Sequence, residues 1–249
     1  MIILKTISEI NKIRESSKLV AEFLNNIEEV IHPGTNLCEI EELANKFVKD
    51  KKVKAGFKGY ESYPFAVCTS VNSQIVHGFP NHCVLKEGDI ISVDFGILKD
   101  RYYGDAAKTY AVGKVSEIAK KLIRVTEECL YLGIEQAIDG NTIGDISKAI
   151  QTHAEENGFS VSKSLVGHGI GRELHEKPPV PNVVDVSRYI PLKEGMVIAI
   201  EPIIMEGLNE SRLSVDGWTE YTADNKLAAH FEHTVHIQKN KATILSTIN

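Results

Sequence analysis

The 249 residues read as one α/β (α+β) domain made of two related halves, about 1–110 and 111–249. Three observations predict this. LKEGDIISVD at 85–94 recurs as LKEGMVIAIE at 192–201, with five positions identical, and each copy closes on a carboxylate, Asp94 or Glu201. Each half also reads in the same order: helix, helix, glycine-rich segment, strand ending in that acid. Finally, no Pro/Ser/Gly-rich linker divides the halves, which argues for internal pseudo-symmetry within one domain.

The elements follow from local chemistry. Thr6-Ile7-Ser8-Glu9 has the form of a capping box, in which Thr and Glu side chains satisfy free amides at a helix start. Ile10, Ile13, Val20, Phe23, Leu24 and Ile27 then recur near helical period, and His32-Pro33-Gly34 is expected to end that helix. A second helix is predicted from about Leu37 to Val48, with Leu37, Ile40, Leu43, Ala44 and Phe47 on one face. Glycines and aromatics over 55–66 read as loop and short strand. Val67–Val71 and Ile90–Phe95 read as strands, the second almost wholly apolar and therefore buried on both faces. In the second half Ser116 can cap a helix through about Ala137, and Thr142-Ile143-Gly144-Asp145 the next, ending near Gly158. GHGIGRELHEKP covers 167–178, and the strand Met196–Glu201 follows.

Composition narrows the function. Hydrophobic content of 43% and charged content of 25% suit an ordinary water-soluble core-forming chain. A net charge of −6 with scattered Lys and Arg argues against a specific nucleic-acid partner. Cys38, Cys68, Cys83 and Cys129 form no CxxC pair, so reduced thiols and a cytoplasmic location are expected. MIILKTISEIN has too short an apolar run for a signal peptide, and no run approaches the ~18 residues of a membrane span.

A lone Asp at a strand end ordinarily faces water. Two acids at equivalent positions of a duplicated unit are different, because pseudo-symmetry can bring them together, and a cation then offsets their repulsion. Asp105 follows Asp94 by eleven residues across KDRYYGD, a spacing that suits a hairpin returning one acid beside the other. Glu232 lies in HFEHTVHI, where His230, Glu232, Thr234 and His236 share one face of a strand and His233 takes the other. Alternation does not decide whether those histidines are packed or solvated. His168 sits between glycines that allow close backbone approach. Two Asp, two Glu and one His carry four negative charges, too many for one divalent cation and suited to two, standing ~3.5–4 Å apart around an activated water. No HExxH is present, so the single-zinc protease pattern is excluded.

VNSQIVHGFP (71–80), SVDFGILKDRYYGDAAKTY (92–110), GHGIGRELHEKP (167–178), AIEPI (199–203) and FEHTV (231–235), in that order, closely resemble the methionine aminopeptidase family, through nearly the whole chain. The absence of an N-terminal extension resembles its short bacterial type I form, and the 26 positions from His175 to Glu201 leave no room for the type II insertion. The resemblance implies a duplicated "pita-bread" fold, an antiparallel sheet flanked by helices, with a two-metal centre between the halves. It implies that Asp94 binds one cation, that His168 and Glu201 bind the other, and that Asp105 and Glu232 bridge both; Co, Fe, Mn and Zn all fit such a set. It implies that His77 contacts the substrate near its amine and scissile bond, that His175 hydrogen-bonds the scissile carbonyl oxygen, and that Glu201 also handles the proton. Tyr60, Tyr63, Cys68 and Trp218 match positions that line a methionine-sized slot.

The activity implied is removal of the initiator methionine from nascent chains with a small second residue, by a cytoplasmic monomer with transient ribosome association and no membrane partner. Phe57, Glu61 and Leu174 replace a usual Cys, His and Phe, which bears on the slot's shape and leaves the five ligands untouched. Two alternatives stand beside this reading. One is an X-Pro-cleaving relative, which would carry a large extra N-terminal domain. The other is a metal-free binding module of the same fold, which would have lost its ligands.

Overall fold

Thr6 opens the first helix as its sequence requires: its side chain accepts from the Glu9 amide, and the Glu9 carboxylate accepts from the Thr6 amide at 2.9 Å. The computed structural model describes residues 1–248. The first half runs α1 (Ile7–Ile27), α2 (Leu37–Lys51), β1 (Lys54–Ala55), β2 (Val67–Val71), β3 (Gln74–Val76), β4 (Ile90–Lys99) and β5 (Tyr102–Ala111). The second runs α3 (Glu117–Gln136), α4 (Ile143–Glu156), β6 (Ser160–Val161), β7 (Val166–Gly169), β8 (Glu176–Pro181), β9 (Val197–Ile200) and β10 (Ile203–Met205). It continues through β11 (Ser211–Leu213), β12 (Glu220–Thr222), β13 (Ala228–His230), β14 (Glu232–Ile237) and β15 (Ala242–Ile244).

Nine strands form the main sheet in the order β1-β4-β5-β14-β9-β7-β8, with β2 paired to β4 and β15 to β14, all antiparallel. Two three-stranded sheets, β13-β10-β6 and β11-β12-β3, flank it. α1 and α2 cover the first half of the sheet through Val20, Phe23, Leu24, Ile40 and Ala44 against Ile91, Val93, Phe95 and Ile97. α3 and α4 cover the second through Leu122, Val125, Cys129, Ile146 and Ile150 against Ile198, Ile200 and Val235. Each helix pair therefore buries its apolar stripe on its own half, at roughly 25 cal/mol per Å² of apolar area removed from water.

The halves join where β5 meets β14, through Glu232↔Ala107 and His233↔Ala106. A threonine clamps each side of this seam. The Thr234 hydroxyl donates to the Asp105 carbonyl at 2.7 Å and accepts from the Asp105 amide at 3.1 Å. The Thr109 hydroxyl does the same for His230, donating at 2.8 Å and accepting at 2.9 Å.

Boundaries differ from expectation: α2 runs on to Lys51, β9 spans Val197–Ile200 and leaves Glu201 outside, and three further cases have a visible cause. α1 ends at Ile27, before His32-Pro33-Gly34, with its last turn tightened by the Glu28 amide on the Asn25 carbonyl. β4 continues four residues past Phe95, so Asp94 is mid-strand; Asp100 and Arg101, both with positive φ, close the two-residue hairpin. HFEHTVHI is two strands rather than one: β13 ends at His230, and Phe231 crosses to β14.

Candidate metal centre

Asp94 opposes Ala107 across the β4–β5 hairpin, and Asp105 opposes Gly96. That register sets the two carboxylates diagonally on one face, within hydrogen-bond reach of each other. Glu232 begins β14 on the same floor, paired with Ala107. Glu201 stands just past the end of β9, where Pro202 has no amide to extend the ladder, and Asn182 holds the Glu201 carbonyl at 3.0 Å. His168, on β7, presents Nε2 at 3.7 Å from Glu201 Oε1. Ligand atoms of Asp105, His168 and Glu232 all lie within 4.8 Å of one another. Five residues from four strands and a strand end thus share one floor.

The electrostatics of this floor are those of a cation site. Burial, then mutual repulsion, drives the carboxyls of Asp105, Glu201 and Glu232 well above their ordinary range, and burial also raises Asp94. Asp94 Oδ1, Asp105 Oδ1 and Glu232 Oε1 are buried with no hydrogen-bond partner. Buried polar atoms are nearly always paired, so three orphaned acid oxygens on one floor fit a hard divalent cation. His168 is held neutral, its pKa pushed to about 3 by burial and then by His175. Its Nδ1–H donates to the Gly169 carbonyl at 2.9 Å, which leaves the Nε2 lone pair facing the acids.

Above the floor lies a cavity of about 140 Å³. It is lined by Tyr60, Tyr63, Cys68, His77, His175 and Trp218, besides the four acids and the His168 imidazole. Phe57, Glu61 and Leu174 line it too. Tyr63 and Trp218 meet edge to face at 5.1 Å, and Cys68, opposite Asp94 in the ladder, is kept a neutral thiol by burial and then by that acid. Phe57 lies where a Cβ on Gly96 would be, 2.6 Å from its ring, so the glycine makes room for the bulkier wall.

The two outer histidines are held differently. His77 takes a left-handed φ of 56° and sits edge-on to Trp218 at 6.0 Å. A Cβ on the following Gly78 would stand 2.1 Å from the Thr69 carbonyl, so this bend needs glycine there. Non-glycine strain of this kind is typical of functional sites. His175 is exposed at the mouth; its ring packs 4.3 Å from that of His168, and its Nδ1 lies 3.1 Å from the Tyr60 hydroxyl.

Strand alternation does not decide the surroundings of His230; the structure does. His230 is 2% exposed, with Nε2 at 3.6 Å from Glu201 Oε2. The period-two pattern placed it on the face of Glu232; the break at Phe231 carries it instead to the far side of Glu201. A wider cleft of about 350 Å³ lies on the helix face of the sheet, between α1 and α3, and contains His233 but neither outer histidine of the site.

The model of metallopeptidase family M24 matches residues 11–239. A methionine aminopeptidase of Clostridium perfringens is 46% identical over 248 residues, spanning 100% of both chains. The crystal structure of a methionine aminopeptidase from Thermotoga maritima superposes with a TM-score of 0.97 at 45% identity, over 99% of this chain and 100% of that one. A prolidase from Pyrococcus furiosus shares the fold alone, at a TM-score of 0.77 and 24% identity over 66% of its length.

Proposed function

The chain belongs to metallopeptidase family M24 and has its pita-bread fold, and on that premise we propose how its own residues carry out the reaction. It is an aminopeptidase: it hydrolyses the peptide bond after an N-terminal methionine. In our reading one catalytic domain of two pseudo-symmetric halves, about 1–110 and 111–249, holds two divalent cations. Asp94, Asp105, His168, Glu201 and Glu232 would hold them. When bound, the cations supply Lewis-acid activation of water and of the peptide carbonyl. The observation that carries this is the set of three orphaned acid oxygens beneath an apolar slot.

The protein's groups then divide the work. Tyr63, Cys68, Trp218, Phe57 and Leu174 exclude water around the methionine side chain, the soft thiol and ring faces suiting a thioether. The acids of the floor receive the substrate's free ammonium, which limits cleavage to one residue. Partial desolvation at the mouth lowers the His175 pKa, and in our reading the Tyr60 hydroxyl, 3.1 Å away, donates to Nδ1 so that the His175 proton sits on Nε2. That N–H is free to donate to the scissile carbonyl oxygen as negative charge develops there. His77 contacts the substrate near its amine from the opposite wall. Glu201, ionised when the cations are bound, would take the proton from the attacking water and pass it to the leaving amine.

The same reading includes a small second substrate residue, action on nascent chains with transient ribosome contact, a cytoplasmic location and a monomer. No helix among the described residues is long and apolar enough to cross a membrane. Release of free methionine from Met-Ala-Ser, Met-Leu-Ser and Leu-Ala-Ser peptides tests it. The first should turn over and the others barely, with loss on chelation and recovery on adding a divalent cation. Cleavage of Leu-Ala-Ser at the rate of Met-Ala-Ser refutes the slot.

A further inference from the structure

Glu201 has two carboxylate oxygens, and only one faces His168. Oε1 lies 3.7 Å from His168 Nε2, while Oε2 lies 3.6 Å from Nε2 of His230. His230 Nε2 is buried and has no hydrogen-bond partner, a rare condition for an imidazole nitrogen inside a protein. Its nearest acidic oxygen is the far oxygen of Glu201. The backbone that carries the ring is tied down. The Thr109 hydroxyl grips both the amide and the carbonyl of His230, and Ser92, donating to Thr109 at 2.8 Å, fixes that hydroxyl in turn. These two residues come from β4 and β5, so the first half of the chain anchors a histidine of the second.

We propose that His230 is a positioning residue for Glu201: its Nε2–H holds Oε2, and so keeps Oε1 turned toward His168 and the cation. This deepens the reading of Glu201 given above and rests on it. The geometry supports a donor at this place for a plain reason. A carboxylate that both binds a cation and moves a proton can rotate between one-oxygen and two-oxygen contact, and a donor on the far oxygen removes that freedom. Separations near 3.6 Å are looser than a formed hydrogen bond, and catalytic hydrogen bonds commonly tighten once the site is loaded.

Two measurements test the assignment. The first uses the unaltered chain, isotope-labelled at its histidine nitrogens and loaded with Zn²⁺. A slowly exchanging Nε2–H signal from His230, downfield-shifted by a carboxylate partner, is expected; a His230 ring protonated only on Nδ1 overturns the proposal. The second compares His230→Gln, which keeps a donor, with His230→Met, which keeps bulk alone. The Met variant should lose about 10–100-fold in kcat with KM within about twofold, and bind Co²⁺ about tenfold more weakly by calorimetry. The Gln variant should recover most of both. Equal behaviour of the two variants at matched melting temperature overturns the proposal, and if either fails to fold the nitrogen signal decides alone. Failure of the parent reading looks different: the unaltered chain would then release no methionine with any divalent cation.

Discussion

The two copies of LKEG lead into strands that behave differently. After Gly88 the chain forms β4, which runs ten residues and carries Asp94 in its middle, the ladder continuing through Lys99↔Tyr102. After Gly195 it forms β9, which lasts four residues and leaves Glu201 just beyond its end. The divergence begins right after the acid. Phe95-Gly96-Ile97-Leu98 can keep pairing, whereas Pro202 offers no amide to the ladder. Asp94 is therefore fixed by the pairing on both sides of its strand, while Glu201 is free of the ladder and takes its orientation from Asn182, His168 and His230. One duplicated motif thus yields an acid held by its ladder in the first half and one held by side chains in the second. The second is the acid to which we assign the proton.

The sharpest way to break this comparison is to remove one acid from each side of the seam. Asp105→Asn and Glu232→Gln should each lower kcat by about 10³-fold or more and reduce cation content, measured by peptide turnover and elemental analysis. Equal losses mean that the halves pool their ligands; retention of full activity by either variant means that one half suffices. Next in size, His175→Ala should lower kcat by about 10²–10³-fold with cation content nearly unchanged, because we assign its N–H to the developing oxyanion. Loss of the cation in that variant would place His175 among the ligands instead.

A smaller effect follows from the raised carboxyls. In chelated protein, groups whose folded pKa lies above the unfolded value contribute stability that is full below the ordinary carboxylate range and lost as pH rises through the raised values. Asp94 is pushed up to about 7, and Asp105, Glu201 and Glu232 are also raised. Chelated protein should thus melt about 3 °C or more lower at pH 8 than at pH 5, and saturating Mn²⁺ should erase or reverse the difference. A melting temperature that rises over that interval without cation contradicts the shared floor.

The smallest test compares the helix starts. Glu9 closes the α1 capping box and also accepts from the Tyr102 hydroxyl at 2.9 Å; Asp145 does only the first for α4. Glu9 is held down to about 2, chiefly by the Thr6 amide and then by Tyr102. Glu9→Gln should cost about 0.5–1 kcal/mol at pH 7 and Asp145→Asn less. Because the folded pKa is depressed, the Glu9 difference should shrink below its ordinary value of 4.5 and vanish near pH 2, followed by chemical denaturation.

Much of this protein was written locally. The four helix starts are set by Thr6, Asn36, Ser116 and Thr142, each beside an apolar run of helical period. All four starts, and three of those caps, could be read from the sequence, because a cap and its helix lie within four residues of each other. Val67–Val71 was legible for a similar reason, as its pattern is complete within five residues. The motifs carried the site, and every residue they named lines the one cavity above the acids. What the sequence alone did not decide were events that depend on partners distant along the chain. A hairpin across KDRYYGD was legible from spacing, but its turn at Asp100-Arg101 rests on two positive-φ residues that only the β4–β5 register fixes. The break at Phe231 arises because β13 is claimed by β10 and β14 by β5 and β9, two sheets pulling one apolar run apart. The place of His230 beside Glu201 follows from that break. Periodicity reports which face a side chain takes within a strand, whereas which strand it joins, and what it then meets, is fixed by contacts between the halves.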